Sequence, residues 1–179
     1  MSNLVLRPAL MGDLRDCLEF DGSYTTDCVW QMETHAANGV INVTFRHVRL
    51  PRSMRVEYPR GAEALTADWR TRDAFLVAQR DRQTLGYVSL SAHPAQRVAH
   101  IGDLVVRRSH RRGGVGSALI GAALRWARER DLKQIVVEVQ TKNHPAISLL
   151  NKLGFSFCGF NDRHYLNQDI AVFFSRAVR

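Results

Sequence analysis

Cysteine is scarce in this chain of 179 residues. Cys17, Cys28 and Cys158 are odd in number and scattered. Their spacing matches neither a metal-ligand nor a redox pattern, so they read as reduced thiols in a cytoplasmic protein. The histidines show no ligand spacing either, and no metal is expected. No run of about 18 apolar residues occurs, which excludes a membrane-spanning helix. The opening MSNLVLRPAL lacks a basic region followed by an apolar stretch, so no secretory signal is expected. Repeats and low-complexity tracts are absent. Lysine is nearly missing too: three stand against 22 arginines, within a net charge of +8. Such a surface attracts phosphate-bearing cofactors, acidic substrates or nucleic acid.

What is present fits one globular domain spanning 1–179, with 45% apolar and 23% charged residues. LVL (4–6) reads as a strand stopped by Arg7-Pro8. Leu10, Leu14, Cys17 and Leu18 then share a helical face. Asn38-Gly39 is a strong two-residue hairpin signal. Folding there pairs Trp30 with His47, Met32 with Phe45, Thr34 with Val43 and Ala36 with Ile41 on a mostly apolar face, and predicts a half-buried ribbon packed on the main body. Residues 46–60 add five arginines. A short helix over 61–69, a hairpin of strands 74–79 and 84–92, and a strand over 100–106 follow. The next segments read as a helix over about 114–130, a strand over 134–140, a helix over 145–153 and two final strands. This mixture predicts an α/β (α+β) fold, not a fully parallel sheet.

The stretch VVRRSHRRGGVGSALIG (105–121) sets three glycines among arginines where a strand gives way to a helix. The first N–H groups of a helix are unpaired and carry partial positive charge. Gly113, Gly114 and Gly116 leave them open to a phosphate or pyrophosphate, Ser117 adds a hydroxyl, and Arg111 and Arg112 add charge-assisted donors. The lysine of a P-loop is missing, and Leu119 occupies the third glycine position of the dinucleotide fingerprint.

The pattern that does fit is R-x-x-G-x-G, as Arg111-Arg112-Gly113-Gly114-Val115-Gly116. With it, the sequence resembles the GNAT superfamily of acetyl-CoA-dependent N-acetyltransferases. Asn143, Ala146, Ile147, Leu149 and KLGF (152–155) resemble the family's N-x-x-A-I-x-L-x-x-K-x-G-F helix, and LRPALMGDL (6–14) its first strand and helix. The likeness covers 4–20 and about 74–177, and residues 22–60 stand as a family-atypical elaboration. It implies a GNAT fold: a mixed, mostly antiparallel central sheet flanked by helices, with the 22–60 hairpin added. It implies acetyl-CoA as cosubstrate. The backbone of Leu104, Val105 and Val106 would pair with the pantetheine arm, residues 111–117 would hold the pyrophosphate, and Asn143 would lie near the arm or cap its helix.

Three residues are candidates for catalysis. The family's tyrosine position holds Leu150, which leaves Tyr165 as a possible proton donor or a packed aromatic. A base must neutralise the acceptor amine, and family members often carry a carboxylate in the preceding strand. Here that strand offers His100 and Asp103, on opposite faces by strict alternation. The expected acceptor is an amine-bearing molecule, and the arginines of 22–60 favour carboxylate or phosphate groups on it. A monomer or homodimer is expected, with no membrane partner. Two other readings stand beside this one. Leu150 suits a non-catalytic acyl-CoA-binding module. The 46–60 segment suits a nucleic-acid or ribosome-associated factor, although it lacks the aromatic interleaving of a single-strand binder.

Overall fold

A computed structural model describes residues 3–179. The chain opens with β1 (Val5–Pro8) and α1 (Met11–Leu18). Two long strands, β2 (Tyr24–Ala37) and β3 (Val40–Val56), come next, followed by α2 (Ala62–Thr71), β4 (Ala74–Arg80), β5 (Gln83–His93) and β6 (Val98–Val106). The second half holds α3 (Val115–Glu129), β7 (Gln134–Gln140), α4 (His144–Lys152), β8 (Ser156–Asn161) and β9 (Ala171–Ala177). Seven strands form one sheet in the order β1-β4-β5-β6-β7-β9-β8, and β2 and β3 form a separate ribbon. Among the described residues only β6 and β7 pair in parallel. A parallel pair needs a long crossover connection, and α3 supplies it. The expected mixed, mostly antiparallel sheet is therefore present. Among the described residues, no helix is long and apolar enough to cross a membrane.

Each face of the sheet has its own core. On one face α3 buries Val115, Leu119, Ile120, Ala122, Ala123, Trp126 and Ala127 against Leu76, Val88 and Ile101. This is the stripe that a 3.6-residue period requires. On the other face α1 and α2 bury Cys17 and Leu65 with Phe75, Val77 and Tyr87. Burial pushes the Cys17 thiol up to about 12, which keeps it protonated and inert. All three cysteines are free.

The ribbon has the register read from Asn38-Gly39: Trp30 opposes His47, Met32 opposes Phe45, and Ala36 opposes Ile41. Its half-buried character is confined to the near half. Trp30 N–H donates to Thr141 O (2.9 Å), and the Phe45 ring packs on Phe157 and Phe160 at 5.5 and 5.3 Å. The tip stands in solvent, with Ile41 73% exposed. Segment 46–56 continues as strand to the end of β3.

One irregularity positions the site. Ser89 pairs with Asp103 but Leu90 pairs with Ile101, so Gly102 is an extra residue in β6. A bulge places neighbouring side chains on one face. A Cβ at Gly102 would lie 3.0 Å from Ser89 Oγ, and Ser89 Oγ also contacts Asp103. Strict alternation is therefore broken: His100 and Asp103 point to the same side of the sheet, not to opposite sides. Beyond the bulge, Val105 joins the core under α1 and α2, and Leu104 and Val106 pack on the α3 side.

Candidate active site

Strands β6 and β7 pair from Val98↔Gln134 to Ile101↔Val137 and then part. Beyond Ile101 the edge of β6 that faces β7 has no strand partner among the described residues, although its other edge remains bonded to β5. Unpaired strand edges accept another extended chain. A cleft of 470 Å³ opens beside this edge, lined by Leu104, Val106, Gly114, Gly116, Ser117 and Asn143, among others. That volume suits a small ligand or cofactor. A deeper crevice of 50 Å³ lies between the parted strands, lined by Gly102, Glu138 and Tyr165. Tyr58, Leu104 and Asn143 border both spaces.

The floor of the cleft is the turn into α3. Arg112 has φ +65° and Gly114 φ +84°, while Gly113 and Val115 keep negative φ. Alternation of this kind forms a concave backbone nest for anions. The N–H groups of Val115, Gly116 and Ser117 find no acceptor among the described residues. A Cβ at Gly116 would meet Leu149 Cδ2 at 3.2 Å, so glycine lets α3 and α4 meet at the cleft. Val115 turns its side chain into the core.

Two expectations for this turn separate. Arg112 is exposed and has no hydrogen-bond or ion-pair partner among the described residues, so its charge stays available. Arg111 is committed elsewhere. Its Nε donates to Val106 O (2.9 Å), and its two terminal nitrogens donate to Ser23 O and Asp21 O at 2.6 Å each. It therefore clasps the turn to the segment before β2, instead of reaching for a ligand. Arg111→Ala should lower the unfolding free energy by about 3 kcal/mol and raise the KM for acetyl-CoA, read by thermal denaturation and steady-state kinetics. Asn143 caps α4, its Oδ1 accepting from Ala146 N at 3.1 Å, and also borders both spaces.

The catalytic candidates fare differently. Asp103 is buried at 3% exposure. Tyr58 Oη donates to its Oδ1 at 2.6 Å, Ser89 Oγ donates to its Oδ2 at 3.3 Å, and the Asp103 backbone N–H donates to Ser89 Oγ at 2.9 Å. Burial dominates and raises the Asp103 pKa above the usual carboxylate value, although Tyr58 and Arg60 oppose the shift. His100 shares that side of the sheet but lines neither space. It lies edge-on to His93 at 4.8 Å, and burial lowers its pKa. Tyr165 borders the crevice from the loop between β8 and β9, where burial, with the Glu138 carboxylate nearby, raises its pKa above the usual phenol value. Leu150 is core at 2% exposure.

Sequence reasoning missed Tyr58, Glu138, Arg60 and Tyr24. Arg60 stands among three carboxylates: Asp68 at 3.3 Å, Glu138 at 3.5 Å and Asp103 at 3.8 Å. Glu138 also meets His164 Nε2 at 3.0 Å. Tyr24 lines the larger cleft and donates to Gln140 Oε1 at 2.8 Å. Tyr58 packs directly on Gly22, where a Cβ would fall 2.8 Å from the tyrosine Cβ. One signal was legible: the chain has four tyrosines, and the absence of one at position 150 made each of the others worth weighing.

The remaining arginines of 46–60 turn away from the site. Arg46 pairs with Glu33 and Arg55 with Asp21 and Glu57 on exposed surface, and Arg49 and Arg52 are exposed. The charge argument for an acidic acceptor therefore fails, because the cation that does reach the site is surrounded by carboxylates. Folding also gathers Cys28, His47 and His144, whose ligand atoms lie within 4.8 Å of one another, a cluster that sequence spacing did not suggest.

Comparison with known proteins places these features. The profile of the acetyltransferase (GNAT) family matches residues 44–155. A streptothricin acetyltransferase of Streptomyces lavendulae is 29% identical over 172 residues, covering 92% of this chain and 87% of that protein. The crystal structure of a nourseothricin acetyltransferase superposes with a TM-score of 0.84 at 28% identity, covering 98% of this chain and 99% of that one. A Bacillus anthracis structure in complex with acetyl coenzyme A shares the fold, with a TM-score of 0.75 at 23% identity over 98% of this chain and 99% of that one. The matched ranges span nearly the whole chain, and the extra hairpin expected within 22–60 is present as β2 and β3.

Proposed function

The chain belongs to the acetyltransferase (GNAT) family and is an acetyl-CoA-dependent N-acetyltransferase, and from that premise we propose that its acceptor is a primary amine on a polycationic small molecule of the streptothricin kind. Near full-length likeness to the streptothricin and nourseothricin enzymes supports this acceptor. So does Glu138, the carboxylate that lines the crevice, with Asp68 and Asp103 behind it around Arg60.

The residues present fit acetyl-CoA. The nest at Arg112–Val115, the open N–H groups of α3 and the free charge of Arg112 suit its pyrophosphate. The unpaired edge of Leu104–Val106 suits the amide groups of its pantetheine arm, as an added strand would. Acetyl-CoA supplies an activated thioester carbonyl. This chain's residues must orient that carbonyl and deliver a neutral amine to it.

The observation that carries the mechanism is the 2.6 Å hydrogen bond from Tyr58 to Asp103, made where the cleft meets the crevice. An amine with pKa ~10.4 costs about 4–5 kcal/mol to deprotonate at pH 7. Tyr58 gives its proton to Asp103, so a lone pair on its oxygen can accept one from the amine. The amine proton passes to Tyr58 as the tyrosine proton passes to Asp103, and the nitrogen then attacks. The burial that raises the Asp103 pKa makes it a stronger base than an exposed aspartate. Glu138 borders the crevice and holds a second ammonium of the acceptor. Tyr24 lines the larger cleft, whereas Tyr165 borders only the crevice, and this makes Tyr24 the phenol for the departing thiolate.

A panel of streptothricin, an aminoglycoside and a peptide with a free α-amine should separate the readings when CoA thiol release and product mass are followed. Streptothricin is expected to gain one acetyl group with the highest kcat/KM. Turnover confined to the peptide would overturn the acceptor assignment while leaving the cofactor site intact.

A further inference from the structure

We propose that Cys28, His47 and His144 form a binding site for one zinc-class divalent ion that fastens the β2–β3 ribbon to the first turn of α4. The ribbon geometry brings the first two ligands together. Cys28 pairs with Arg49 and Trp30 with His47, so Cys28 and His47 lie diagonally across the ladder on one face of the ribbon. The first residue of α4, His144, comes down on that face. Its ring lies 4.6 Å from the His47 ring.

The three ligand atoms lie within 4.8 Å of one another. A tetrahedral zinc ion holds sulfur and nitrogen ligands about 3.4–3.6 Å apart, from bond lengths of about 2.0–2.3 Å. Side-chain rotations of about an ångström would therefore close the site. The donor set, one thiolate and two imidazoles, suits zinc or cobalt and not magnesium or calcium.

A second observation points independently to a ligand. His144 Nδ1 is fully buried and has no hydrogen-bond partner, while its Nε2 lies 3.3 Å from Ser148 Oγ. A metal-bound histidine is held in this way, one nitrogen fixed by a hydrogen bond and the other free to coordinate. Asp27, next to Cys28, is close enough to act electrostatically on both Cys28 and His144, and its carboxylate or a water would complete four-coordination. His47 is exposed, which gives an ion a path in.

The consequence reaches the cofactor. His144 directly follows Asn143, which caps α4 and borders the cleft. A metal at this point would tie the cleft wall to the ribbon without touching the reacting atoms.

The test uses tag-free protein carrying Cys158→Ser, which removes the exposed thiol. Cobalt(II) is titrated in first, and zinc then competes. The expected result is one equivalent of cobalt with a thiolate-to-metal charge-transfer band and the intense visible bands of a tetrahedral complex, displaced by zinc and removed by chelator. Zinc should also raise the melting temperature. His47→Gln changes an exposed side chain, leaves the fold intact, and should weaken binding at least about tenfold. Cys28→Ser should abolish the charge-transfer band, and His93→Gln, in the separate His93–His100 pair, should change nothing. Absence of saturable binding, a cobalt spectrum without a thiolate band, or affinity unchanged by His47→Gln would overturn the site.

Discussion

Asp103→Asn should lower kcat/KM for amine acetylation by about 10²–10⁴-fold, the usual contribution of a positioned base. Asparagine keeps the shape and still accepts the Tyr58 hydrogen bond, but it cannot take up a proton. Tyr58→Phe should produce a loss of the same order, because it removes the oxygen between amine and carboxylate. The double variant should then be little worse than either single one, since residues acting as a unit are not additive. Stopped-flow or steady-state release of CoA thiol measures all three.

The pH dependence has a definite sign. Asp103 must be ionised to act as base, and burial raises its pKa above the ordinary 3.8. The acid limb of kcat/KM should therefore rise above the range of an exposed carboxylate, and Asp103→Asn should remove that limb. Stability moves the other way. A carboxyl whose folded pKa exceeds its unfolded pKa contributes stability below the unfolded value and loses it as pH rises through the folded value. At neutral pH the wild-type protein thus carries the penalty of a buried charge. The Asp103→Asn melting temperature at pH 7 should equal or exceed that of wild type, which separates lost chemistry from lost folding.

The second large effect lies at the turn into α3. Gly116→Glu should raise the KM for acetyl-CoA by about 10²-fold or more, because it sets a carboxylate against the pyrophosphate and like charges brought together cost several kcal/mol. Gly116 is the informative position. At Gly114 the positive φ of 84° would add backbone strain, whereas Gly116 has no such φ. Gly116→Ala is the control. Its Cβ meets the end of the flexible Leu149 side chain at 3.2 Å, which can give way, so a stability change within about 1 kcal/mol is expected. A large KM effect from glutamate with a small one from alanine would locate the anion at this turn.

Local chemistry explains what was readable from the sequence. The Asn38-Gly39 turn fixed the ribbon pairs from the tip back to Cys28↔Arg49, because a two-residue turn sets register, and an irregularity between Thr26 and Cys28 shifts the pairs beyond. The α3 stripe and the turn before it follow from helical period and glycine placement. Packing and register decided the rest. Strict alternation put His100 and Asp103 on opposite faces, and one extra residue at Gly102 reversed that. The arginines of 46–60 suggested an acidic partner, but the four on β3 are exposed and only Arg60, in the connection after it, turns inward, toward carboxylates. Arg111 has the right type and place for an anion ligand, and three carbonyls claimed it first. Tyr58 and Asp103 are 45 residues apart, and Cys28, His47 and His144 come from three elements. Such groupings appear only once the chain folds, with the ribbon packed against α4 and β8 and Tyr58 brought to β6.

A crystal structure of the protein with CoA tests the account most directly. The account predicts the pyrophosphate on the N–H groups of Val115–Ser117, the pantetheine arm along Leu104–Val106, and the sulfur at the junction bordered by Asn143 and Tyr58. A sulfur on the far side of the sheet, beside His93 and His100, would contradict it.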